Sequence, residues 1–495
     1  MRYKIAELRG SFGFMLSRYK PFLQELLLLS PGLHVAGGAV KDCLLGRPIS
    51  DVDVVFPLGA EGIAARFAVR TGATRIALRQ DEPDKMMERV IARDADSTLL
   101  FDFTARRGTS IEDDLAGRDF TVTAMALPLP AFINGDFSGI IDPFGGRGDI
   151  RDKEIRVLSD ESFRQDPLRL LRAFRLAAEL GFTIHGETLE KVTRDGALLA
   201  SVSGERIRDE IFRIFEVSPC HPFIEAMDRV GLLGRVFPEM AAMKGIEQDG
   251  YHALDVWSHT MLCLKEMESL LANPGKEFGD AAADFRDYLA DAFVRGRSRA
   301  ALLKLAILLH DAGKPDKVSR DVEGQTHFYG HAAAGEAIAE AIAERLRLSM
   351  AERDYLKLLV VNHMHLVHLT AETSRSRRSV LHFFRKYGED YRALLLLFAA
   401  DTRATAGPKM TPERVRLIRD AVTEMLRLYE EDLRPRLQAP PLLAGGDLIA
   451  RFGLEPGPLI GEILRKVEDA RLEGLVVDRD SALEVAGALL KKDWQ

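Results

Sequence analysis

The sequence contains few cysteines and lacks any long apolar run. Its three cysteines among 495 residues, Cys43, Cys220 and Cys263, lie far apart and without CxxC spacing. This distribution excludes a disulfide framework and a cysteine zinc site, so we interpret all three as packing residues. No apolar stretch reaches the length of about 20 residues that a membrane-spanning helix requires, and no signal-peptide pattern begins the chain. We expect a cytoplasmic protein without a membrane partner.

An excess of positive charge is also missing. The 68 Lys and Arg residues are outnumbered by 75 Asp and Glu residues, which gives a formal net charge of −7. This balance argues against a protein covered uniformly in positive charge, and we expect no DNA partner. A nucleic-acid partner would need a local basic surface, for which the arginine-rich stretches 164–175 and 206–213 are candidates.

The length and the periodicity of the chain predict several domains. A chain of 495 residues is too long for one compact core. Residues 1–150 alternate short β-branched or aromatic runs with helical patterns, which predicts an α/β domain. After about residue 160 the strand patterns stop and apolar residues recur at helical spacing. We therefore expect an α+β protein, with an α/β domain at 1–150 and nearly all helix after it, divided at breaks rich in Pro, Gly or polar residues near 218–222, 272–279 and 438–446.

A glycine pair and an aspartate pair form the first chemical motif. In LHVAGGAVKDCLLGRPISDVDVVF a predicted strand leads into Gly37 and Gly38, a helix follows, and a second strand carries Asp51 and Asp53. Residues two apart on a strand point to the same face, so both carboxylates project together, as two Mg²⁺ ions bridged by a nucleoside triphosphate require. The glycines let the backbone approach the triphosphate, and the helix N-terminus supplies free N–H groups.

Further candidate residues lie downstream of this motif. Asp102, in the apolar strand TLLFDFTARR, is a candidate third catalytic carboxylate, or it forms an ion pair with Arg106 or Arg107. Arg118 and Asp119 come just before another apolar stretch, in GRDFTVTAMAL. Asp119 is a candidate for the nucleotide site or an ordinary helix N-cap.

The segment FRQDPLRLLRAFRLAAELGF predicts an amphipathic helix with one polar face. Asp166, Arg169 and Arg172 recur at three-residue spacing and are predicted to share that face. A carboxylate accepts a hydrogen bond from an exocyclic amine, and an arginine donates to a ring acceptor. Cytosine and adenine present both groups side by side, whereas uracil and guanine reverse the pattern. The three residues therefore either select C and A or form an ion-pair ladder on a surface helix.

A second set of polar residues lies in the helical region after residue 240. It combines imidazoles with carboxylates, in the order His259, His310, Asp311, His331, His363 and Asp401. Such ligands suit Mn, Fe, Ni, Co, Mg or Zn ions, and the adjacent His-Asp pair can serve two metals. A single histidine on an apolar helix is more often a core residue, but Asp311 follows the apolar run LAILL without apparent compensation. The full set predicts a metal site.

The order of the first motifs resembles that of the class II tRNA nucleotidyltransferases and bacterial poly(A) polymerases, of the polymerase β superfamily. The matching blocks run through nearly the whole chain: GG and DxD, RDFTVTAMA at 118–126, DPFGG at 142–146, DPLRLLRAFR at 166–175, SGERIRDEI at 203–211, and LLAGGDLIARFGLEPGPLIGEIL at 442–464. The resemblance implies a polymerase-β-like nucleotidyltransferase head at 1–150 and a nucleotide-selecting, RNA-binding neck at 151–240.

The resemblance also implies roles for the residues of the head. Asp51 and Asp53 would hold Mg²⁺, and Arg118 with Asp119 would contact the incoming nucleotide. The family usually carries two consecutive arginines before this aspartate, whereas here the first of these positions is Gly117. One sugar or phosphate contact of the family is therefore in doubt.

In the neck, the resemblance implies that Asp166 and Arg169 read the base, with Arg172 close by. Gln165 replaces an acidic residue of the family, which is expected to loosen the support of the arginine. The implied activity is template-independent addition of CMP and AMP, from CTP and ATP, to the 3′ end of tRNA, which is CCA addition. We expect tRNA as the partner, and the sequence carries no signal of oligomeric state.

The histidine set resembles the HD phosphohydrolase superfamily, which implies an HD body at 241–435 followed by a helical tail at 436–495. Because His331 and His363 accompany the other four ligands, a dinuclear site is expected, holding Mg or a divalent transition metal such as Mn, Ni, Co, Fe or Zn. The expected chemistry is that of a cyclic phosphodiesterase or phosphatase. Such an activity would free the 3′-hydroxyl of a damaged tRNA end.

Alternative functions remain open within the family and outside it. A poly(A) polymerase would favour ATP throughout, and enzymes that add only CC or only the final A share the motifs. Poly(A) polymerases usually carry a basic, aromatic, histidine-containing segment between DxD and RD, which the interval 79–103 lacks, so we favour CCA addition. From another class, a phosphohydrolase whose front domain only binds nucleotide would not need the intact Asp51 and Asp53 pair.

Overall fold

The computed structural model describes residues 16–30, 32–78, 87–94, 97–294, 296–371 and 376–492. The chain divides into two compact units, the first formed by 1–217 with 222–236 and the second by 218–221 with 237–495. Within the described residues, none of the helices combines the length and the apolar character needed to cross a membrane. The division near 217–237 lies close to the predicted boundary at 240, and the four-domain boundaries stay predictions.

A six-stranded sheet forms the centre of the first unit. Its strands are β1 (His34–Ala36), β2 (Asp51–Phe56), β3 (Thr74–Leu78), β4 (Met87–Asp94), β5 (Ser97–Ala105) and β6 (Ala126–Pro128). They lie in the order β3-β4-β5-β2-β1-β6. The neighbours β2 and β5 run parallel, and the other neighbouring pairs run antiparallel. The β2–β5 pairing therefore brings two distant segments of the chain side by side.

One face of this sheet carries the core of the head. Val52 and Val54 of β2 are fully buried, and they pack in one cluster with Phe67, Phe101 and Phe103. Burying each large apolar side chain stabilises the fold by about 1.5–3 kcal/mol. Because side chains alternate along a strand, the valines fix β2 so that its aspartates project from the opposite face. The core thus orients the DxD motif.

Helices surround the sheet and continue through the rest of the first unit. Those in and beside the head are Lys20–Leu29, Gly38–Leu45, Ile63–Thr71, Ile111–Ala116, Leu129–Asn134 and Gly146–Asp152. Those that follow are Ser162–Gln165, Arg169–Leu180, Gly186–Asp195, Gly204–Phe215 and Leu233–Val236. Residues 218–221 belong to the second unit, the helix His221–Arg229 continues into the first, and the chain enters the second unit again after residue 236.

The second unit is built almost entirely of helices. In chain order they are Val256–Ala272, Gly275–Phe278, Ala282–Ala290, Arg299–Leu309, His331–Arg345, Met350–Asn362, His365–Leu369, Arg377–Tyr387, Tyr391–Ala404, Pro412–Leu428, Arg434–Gln438, Gly445–Phe452, Pro458–Leu472 and Arg479–Lys492. The helix Arg299–Leu309 is buried on all sides from Ala301 onward, which matches its continuous apolar sequence. Its C-terminal end delivers the His-Asp pair at 310–311 into the interior.

Two features differ from or extend the sequence prediction. Strands do occur after residue 160, but as pairs of two or three residues, such as Ala292–Val294 with Arg297–Ser298. The C-terminal segment has a hydrophobic cluster of its own, formed by Leu443, Leu448, Ile460, Ile463, Val467, Val476, Ala482 and Ala486. The α+β fold class, with a sheet-containing head followed by helical regions, is confirmed.

Candidate active sites

The aspartates of β2 and β5 form a cluster on the polar face of the head sheet. The parallel register of the two strands places Asp53 directly opposite Asp102. One carboxylate oxygen from each of Asp51, Asp53 and Asp102 lies within 4.8 Å of the others. The structure therefore brings together the three predicted catalytic carboxylates.

The charge of this cluster is incompletely compensated. Burial raises the pKa of Asp53, and the negative charges of Asp51 and Asp102 raise it further, although Arg118 opposes the shift. A divalent cation would relieve this repulsion, and clustered carboxylate oxygens are the ligands that Mg²⁺ prefers. The donor set thus fits the predicted magnesium site.

Asp102 has a basic partner that the sequence did not identify. Its two oxygens accept hydrogen bonds from Arg89 Nε at 2.7 Å and Arg89 Nη2 at 2.6 Å. Arg89 lies directly opposite Asp102 on β4, so the sequence alternative of a pair with Arg106 or Arg107 is wrong. The bidentate contact compensates a carboxylate that is only 4% exposed.

The glycine pair brings the backbone close to the carboxylate cluster. Gly37 has a φ of +73°, and a Cβ there would lie 2.5 Å from Asp53 Oδ2 and 2.2 Å from Arg118 Nη1. Both the backbone conformation and the space therefore require glycine at this position. Gly38 begins the helix Gly38–Leu45, whose N-terminus receives no side-chain cap from the described residues. Its N–H groups remain able to bind an anion.

Arg118 and Asp119 point to different partners. Arg118 Nη1 donates to Asp53 Oδ2 at 3.3 Å, which joins Arg118 to the carboxylate cluster. Asp119 is buried, and its Oδ1 accepts from Thr123 Oγ1 at 2.6 Å. Asp119 is not a helix N-cap, because the 3₁₀ turn Thr121–Thr123 that follows has Phe120 at that position.

Arg172 holds the other oxygen of Asp119. Its Nε lies 3.0 Å from Asp119 Oδ2, in an ion pair. Burial alone would raise the pKa of Asp119, but the charge of Arg172 and the hydrogen bond from Thr123 outweigh it, and the pKa is lowered. The charge of Asp119 likewise raises the pKa of Arg172. This ion pair connects the neck helix Arg169–Leu180 to the RD motif.

The prediction that Asp166 shares a helical face with Arg169 and Arg172 is wrong. The helix begins at Arg169, and Asp166 lies before it in an extended conformation, with φ −146° and ψ 99°. The reason is Pro167, because a residue before proline is disfavoured in the helical region. The Asp166 carboxylate instead lies 3.2 Å from Arg206 Nη2.

Arg169 lies against the backbone of the RD motif. Its Nη2 donates to the Gly117 carbonyl at 2.9 Å, and its Nη1 donates to Ser162 Oγ at 2.9 Å. Burial lowers the pKa of Arg169, although the charges of Asp119 and Asp166 oppose the shift. Arg169 therefore fixes the loop that carries Arg118.

The side chain of Arg107 lies beside position 117, where the family usually carries an arginine and this chain has Gly117. Arg107 Nη1 donates to the Gly117 carbonyl at 3.1 Å. A Cβ on Gly117 would lie only 2.5 Å from that same nitrogen. The guanidinium of Arg107 thus occupies the space beside Gly117 that a side chain at this position would enter.

A first group of possible metal donors lies in the interior of the second unit. It consists of His259, Cys263, His310 and Asp401. His259 Nε2 lies 2.9 Å from Asp401 Oδ1. His310 Nδ1 donates to the Ile307 carbonyl at 2.7 Å, which leaves Nε2 as the inward-facing nitrogen. Among the described residues, that buried Nε2 makes no contact with the geometry of a hydrogen bond, although Asp311 Oδ2 lies 3.2 Å from it.

A second group consists of Asp311, His331 and His363. The two Nδ1 atoms donate to backbone carbonyls, His331 to Phe328 at 2.8 Å and His363 to Val360 at 2.7 Å. Their Nε2 atoms lie 3.1 Å apart. Since each imidazole has already used its N–H, two lone pairs face one another across this distance.

The protonation of these two histidines strengthens the case for a cation. Burial lowers the pKa of His363 to about 4, helped by the charge of His310. Burial also lowers the pKa of His331. Both imidazoles are therefore neutral near pH 7, and facing lone pairs at short distance repel unless a cation lies between them.

Asp311 belongs to both groups. Its Oδ2 lies 3.2 Å from His310 Nε2 and 4.0 Å from His259 Nε2. Its Oδ1 lies 3.7 Å from His331 Nε2 and 3.8 Å from His363 Nε2. A carboxylate that faces two donor groups is suited to bridging two ions, so the arrangement fits the predicted dinuclear site.

Two residues of this centre were missed by sequence reasoning. Lys314 Nζ lies 2.7 Å from Asp311 Oδ2 and donates to Gln248 Oε1 at 2.7 Å, so the buried acid has a compensating charge three residues later. Cys263 lies among the donors, where we had predicted only packing. Cys263 lies one helical turn after His259, and Lys314 lies three residues after Asp311, in the turn that follows the helix Arg299–Leu309.

Models of three protein families match successive parts of the chain. The Poly A polymerase head domain matches residues 33–156. The probable RNA and SrmB-binding site of polymerase A matches residues 181–244. The HD domain matches residues 251–421. These matches follow the predicted order of head, neck and HD body.

Similar proteins extend these matches over nearly the whole chain. The A-adding tRNA nucleotidyltransferase of Deinococcus radiodurans is 33% identical over 452 residues, 90% of this chain and 93% of that protein. The CC-adding tRNA nucleotidyltransferase of Thermus thermophilus is 31% identical over 456 residues, 90% of this chain and 91% of that protein.

A solved structure supports the same fold. The Thermotoga maritima CCA-adding enzyme complexed with tRNA matches with a TM-score of 0.61 and 20% identity, over 94% of this chain and 95% of that chain. Its likeness supports the fold alone, while the relatives above carry the family assignment. The resemblance read from the motifs is confirmed: this chain belongs to the tRNA nucleotidyltransferase and poly(A) polymerase family and is a nucleotidyltransferase with an HD domain.

Proposed function

We propose that the head adds CMP and AMP to the 3′ end of tRNA, using CTP and ATP, and completes the CCA sequence. The observation that carries this proposal is the cluster of Asp51, Asp53 and Asp102 beside the turn at Gly37 and Gly38. Relatives named as A-adding, CC-adding and multifunctional CCA proteins support tRNA as the substrate.

The residues of the head have separable roles in this reaction. Asp51, Asp53 and Asp102 would hold Mg²⁺, which when bound supplies positive charge to the triphosphate and the leaving pyrophosphate. Nothing lies within 4 Å of the Cβ position of Gly38, and the N-terminus of the helix Gly38–Leu45 offers N–H donors to the triphosphate. Gly37 lets Arg118 and Asp53 lie against the backbone, where Arg118 Nη1 donates to Asp53 Oδ2.

Base selection is assigned to Asp166 and Arg169. The Asp166 carboxylate is about one-third exposed and forms an ion pair with Arg206. The exocyclic amine of an incoming base would replace Arg206 as the hydrogen-bond donor to this carboxylate. Arg169 uses two N–H groups to hold Ser162 and Gly117, and its other N–H groups remain to donate to a ring acceptor. Uracil and guanine would leave both partners unpaired, which is the physical basis of the choice.

Three tRNA substrates would test the proposal directly. They end before the first C, before the second C, and before the terminal A, and each is incubated with one labelled nucleoside triphosphate at a time. CCA addition predicts that C joins the first two and A joins the third. Addition of A alone or of CC alone would identify a specialised enzyme, and long tails from ATP alone would identify a poly(A) polymerase. Residues 79–86 and 95–96 of the interval used against poly(A) synthesis lie outside the described residues.

The second unit is proposed to be a metal-dependent phosphohydrolase. This proposal is carried by the facing Nε2 atoms of His331 and His363, 3.1 Å apart, with Asp311 between the two donor groups. The donors fit Mg or a divalent transition metal among Mn, Ni, Co, Fe and Zn. Bound ions would supply the charge that activates water and stabilises a phosphoester under attack.

Separate substitutions distinguish the two activities. Asp51→Ala with Asp53→Ala should lower nucleotide incorporation at least about a thousandfold, a loss of ~4 kcal/mol in transition-state stabilisation. If incorporation survived, the head would only bind nucleotide, as in the rival phosphohydrolase reading. Conversely, His310→Ala with Asp311→Ala should abolish hydrolysis of 2′,3′-cyclic AMP, and hydrolysis at the unaltered rate would exclude the second proposal.

A further inference from the structure

One sulfur lies among the nitrogen and oxygen donors of the second unit. Cys263 follows His259 by four residues on the helix Val256–Ala272, so the two side chains lie on one helical face. Cys263 Sγ lies 3.3 Å from His259 Nε2, the same nitrogen that faces Asp401. The sulfur is therefore directed toward the first donor group.

The position of Cys263, and not its burial, distinguishes it from the other cysteines. Cys43 and Cys220 are also free and buried. Within the described residues, neither of them belongs to a group of possible metal donors, whereas Cys263 lies within 4.8 Å of three others. A cysteine that only filled the core would not need this neighbourhood.

A second observation points to a ligand at the same place. His310 Nε2 belongs to this group, and its residue is only 1% exposed. The Nδ1 N–H of His310 is used on the Ile307 carbonyl, so Nε2 of the neutral imidazole presents a lone pair to Asp311 Oδ2, a second acceptor, at 3.2 Å. Two buried acceptors that face one another are costly unless a cation, here a metal ion, lies between them.

The two donor groups differ in chemical softness. Besides the shared Asp311, the first offers two imidazoles, one carboxylate and one thiol, the N, O and S donors that zinc binds. The second, with Asp311, His331 and His363, offers only nitrogen and oxygen. Harder ions accept the second set, while a thiolate favours zinc or cobalt over magnesium.

We propose that Cys263 is a metal ligand and that it makes the first position of the HD centre selective for a thiophilic divalent ion. The inference rests on the proposed metal centre and deepens it by naming a ligand and a class of ion. On binding, the S–H bond of Cys263 breaks, a sulfur–metal bond forms, and the proton passes to solvent.

Cobalt substitution of the full-length protein provides the test. Co²⁺ bound by a thiolate gives an intense near-ultraviolet charge-transfer absorption, whereas cobalt bound by nitrogen and oxygen gives only weak visible bands. The absorption is expected in the unaltered protein and in Cys220→Ser, a matched control for another buried cysteine of the same unit. It should disappear in both Cys263→Ser and Cys263→Ala.

Metal competition gives a second readout that does not depend on activity. Without Cys263, the affinity for Zn²⁺ should fall at least about tenfold, while that for Mg²⁺ should stay the same. Cobalt bound by the unaltered protein without charge-transfer absorption would overturn the inference and leave the metal centre intact. Failure of the unaltered protein to bind Co²⁺, Mn²⁺ or Zn²⁺ at all would overturn the metal centre itself.

Discussion

Asp53 and Asp102 lie directly opposite one another on the parallel strands β2 and β5, although 48 other residues separate them along the chain. This register places two negative charges side by side, with Asp51 nearby on the same face. Such crowding opposes folding unless a cation joins it. The head is therefore organised for metal binding at a cost in its own stability.

Removing one of these charges should separate function from stability. Asp53→Asn is expected to abolish nucleotide incorporation yet raise the melting temperature measured with EDTA. The pKa of Asp53 is raised in the folded state, so its ionisation destabilises the fold as pH rises above the unfolded value near 3.8. The gain should thus be present at pH 7 and vanish below pH ~3. An unchanged or lowered melting temperature at pH 7 would contradict this account.

Gly37→Ala should disable the head through a single methyl group. The new Cβ would clash with Asp53 Oδ2 and Arg118 Nη1, and the positive φ adds strain. We expect a stability loss of about 1–3 kcal/mol and a strong loss of nucleotide incorporation. Gly38→Ala is the matched control, because its Cβ would meet nothing within 4 Å. Equal melting temperatures for the two variants would refute the steric argument.

Arg89→Ala should destabilise the head in a magnesium-dependent way. It leaves the buried Asp102 without its bidentate partner, at a cost of about 1–3 kcal/mol. Added Mg²⁺ should recover part of this loss, because the ion compensates the same carboxylate. Arg75→Ala, which breaks the exposed pair with Glu88 in the same sheet, should cost less than about 1 kcal/mol. Thermal unfolding with and without Mg²⁺ measures both effects.

Arg169→Lys should weaken base selection more than catalysis. A lysine ammonium cannot hold Gly117 and Ser162 with two separate nitrogens, as the Arg169 guanidinium does. We expect incorporation of UMP and GMP to rise at least about tenfold relative to CMP and AMP. Arg164→Lys, at an exposed pair with Glu161, is the control and should leave selectivity unchanged. Unaltered selectivity in Arg169→Lys would remove the residue from base recognition.

Metal content should reveal the shared carboxylate of the second unit. Asp311→Asn is expected to lower occupancy at both positions, since the two oxygens of Asp311 face both donor groups. His363→Ala should affect only the second position, because His363 belongs to that group alone. Elemental analysis after dialysis against Mn²⁺ or Zn²⁺ gives the number of ions per chain. Equal metal content in the two variants would argue against a bridging role.

Local sequence patterns predicted the parts of the sites that depend on local geometry. The two-residue period of a strand was enough to place Asp51 and Asp53 on one face, and the buried Val52 and Val54 fixed which face. The polar helix pattern failed at Asp166 because the rule of three-residue spacing ignored Pro167. At Asp166 the backbone preference that proline imposes on the preceding residue outweighed the helical spacing of the polar residues.

Contacts that depend on register or on a neighbouring motif were harder to predict. Arg89 meets Asp102 across β4 and β5, and no sequence pattern specifies which residues of two strands lie opposite one another. By contrast, the signals for Cys263 and Lys314 are local, because Cys263 lies one helical turn after His259 and Lys314 lies three residues after Asp311. CxxC spacing does not detect a cysteine four residues after a histidine, and the charge that compensates Asp311 comes after it in the chain.

The shared position of Asp311 has a thermodynamic consequence for the second unit. An ion that draws Oδ2 toward His310 also moves Oδ1 with respect to His331 and His363, since both oxygens belong to one rigid carboxylate. In the proposed dinuclear centre, loading of the two positions is therefore expected to be cooperative, either positively or negatively. By thermodynamic linkage, the factor by which an ion at one position changes the affinity of the other position is the same whichever position is filled first.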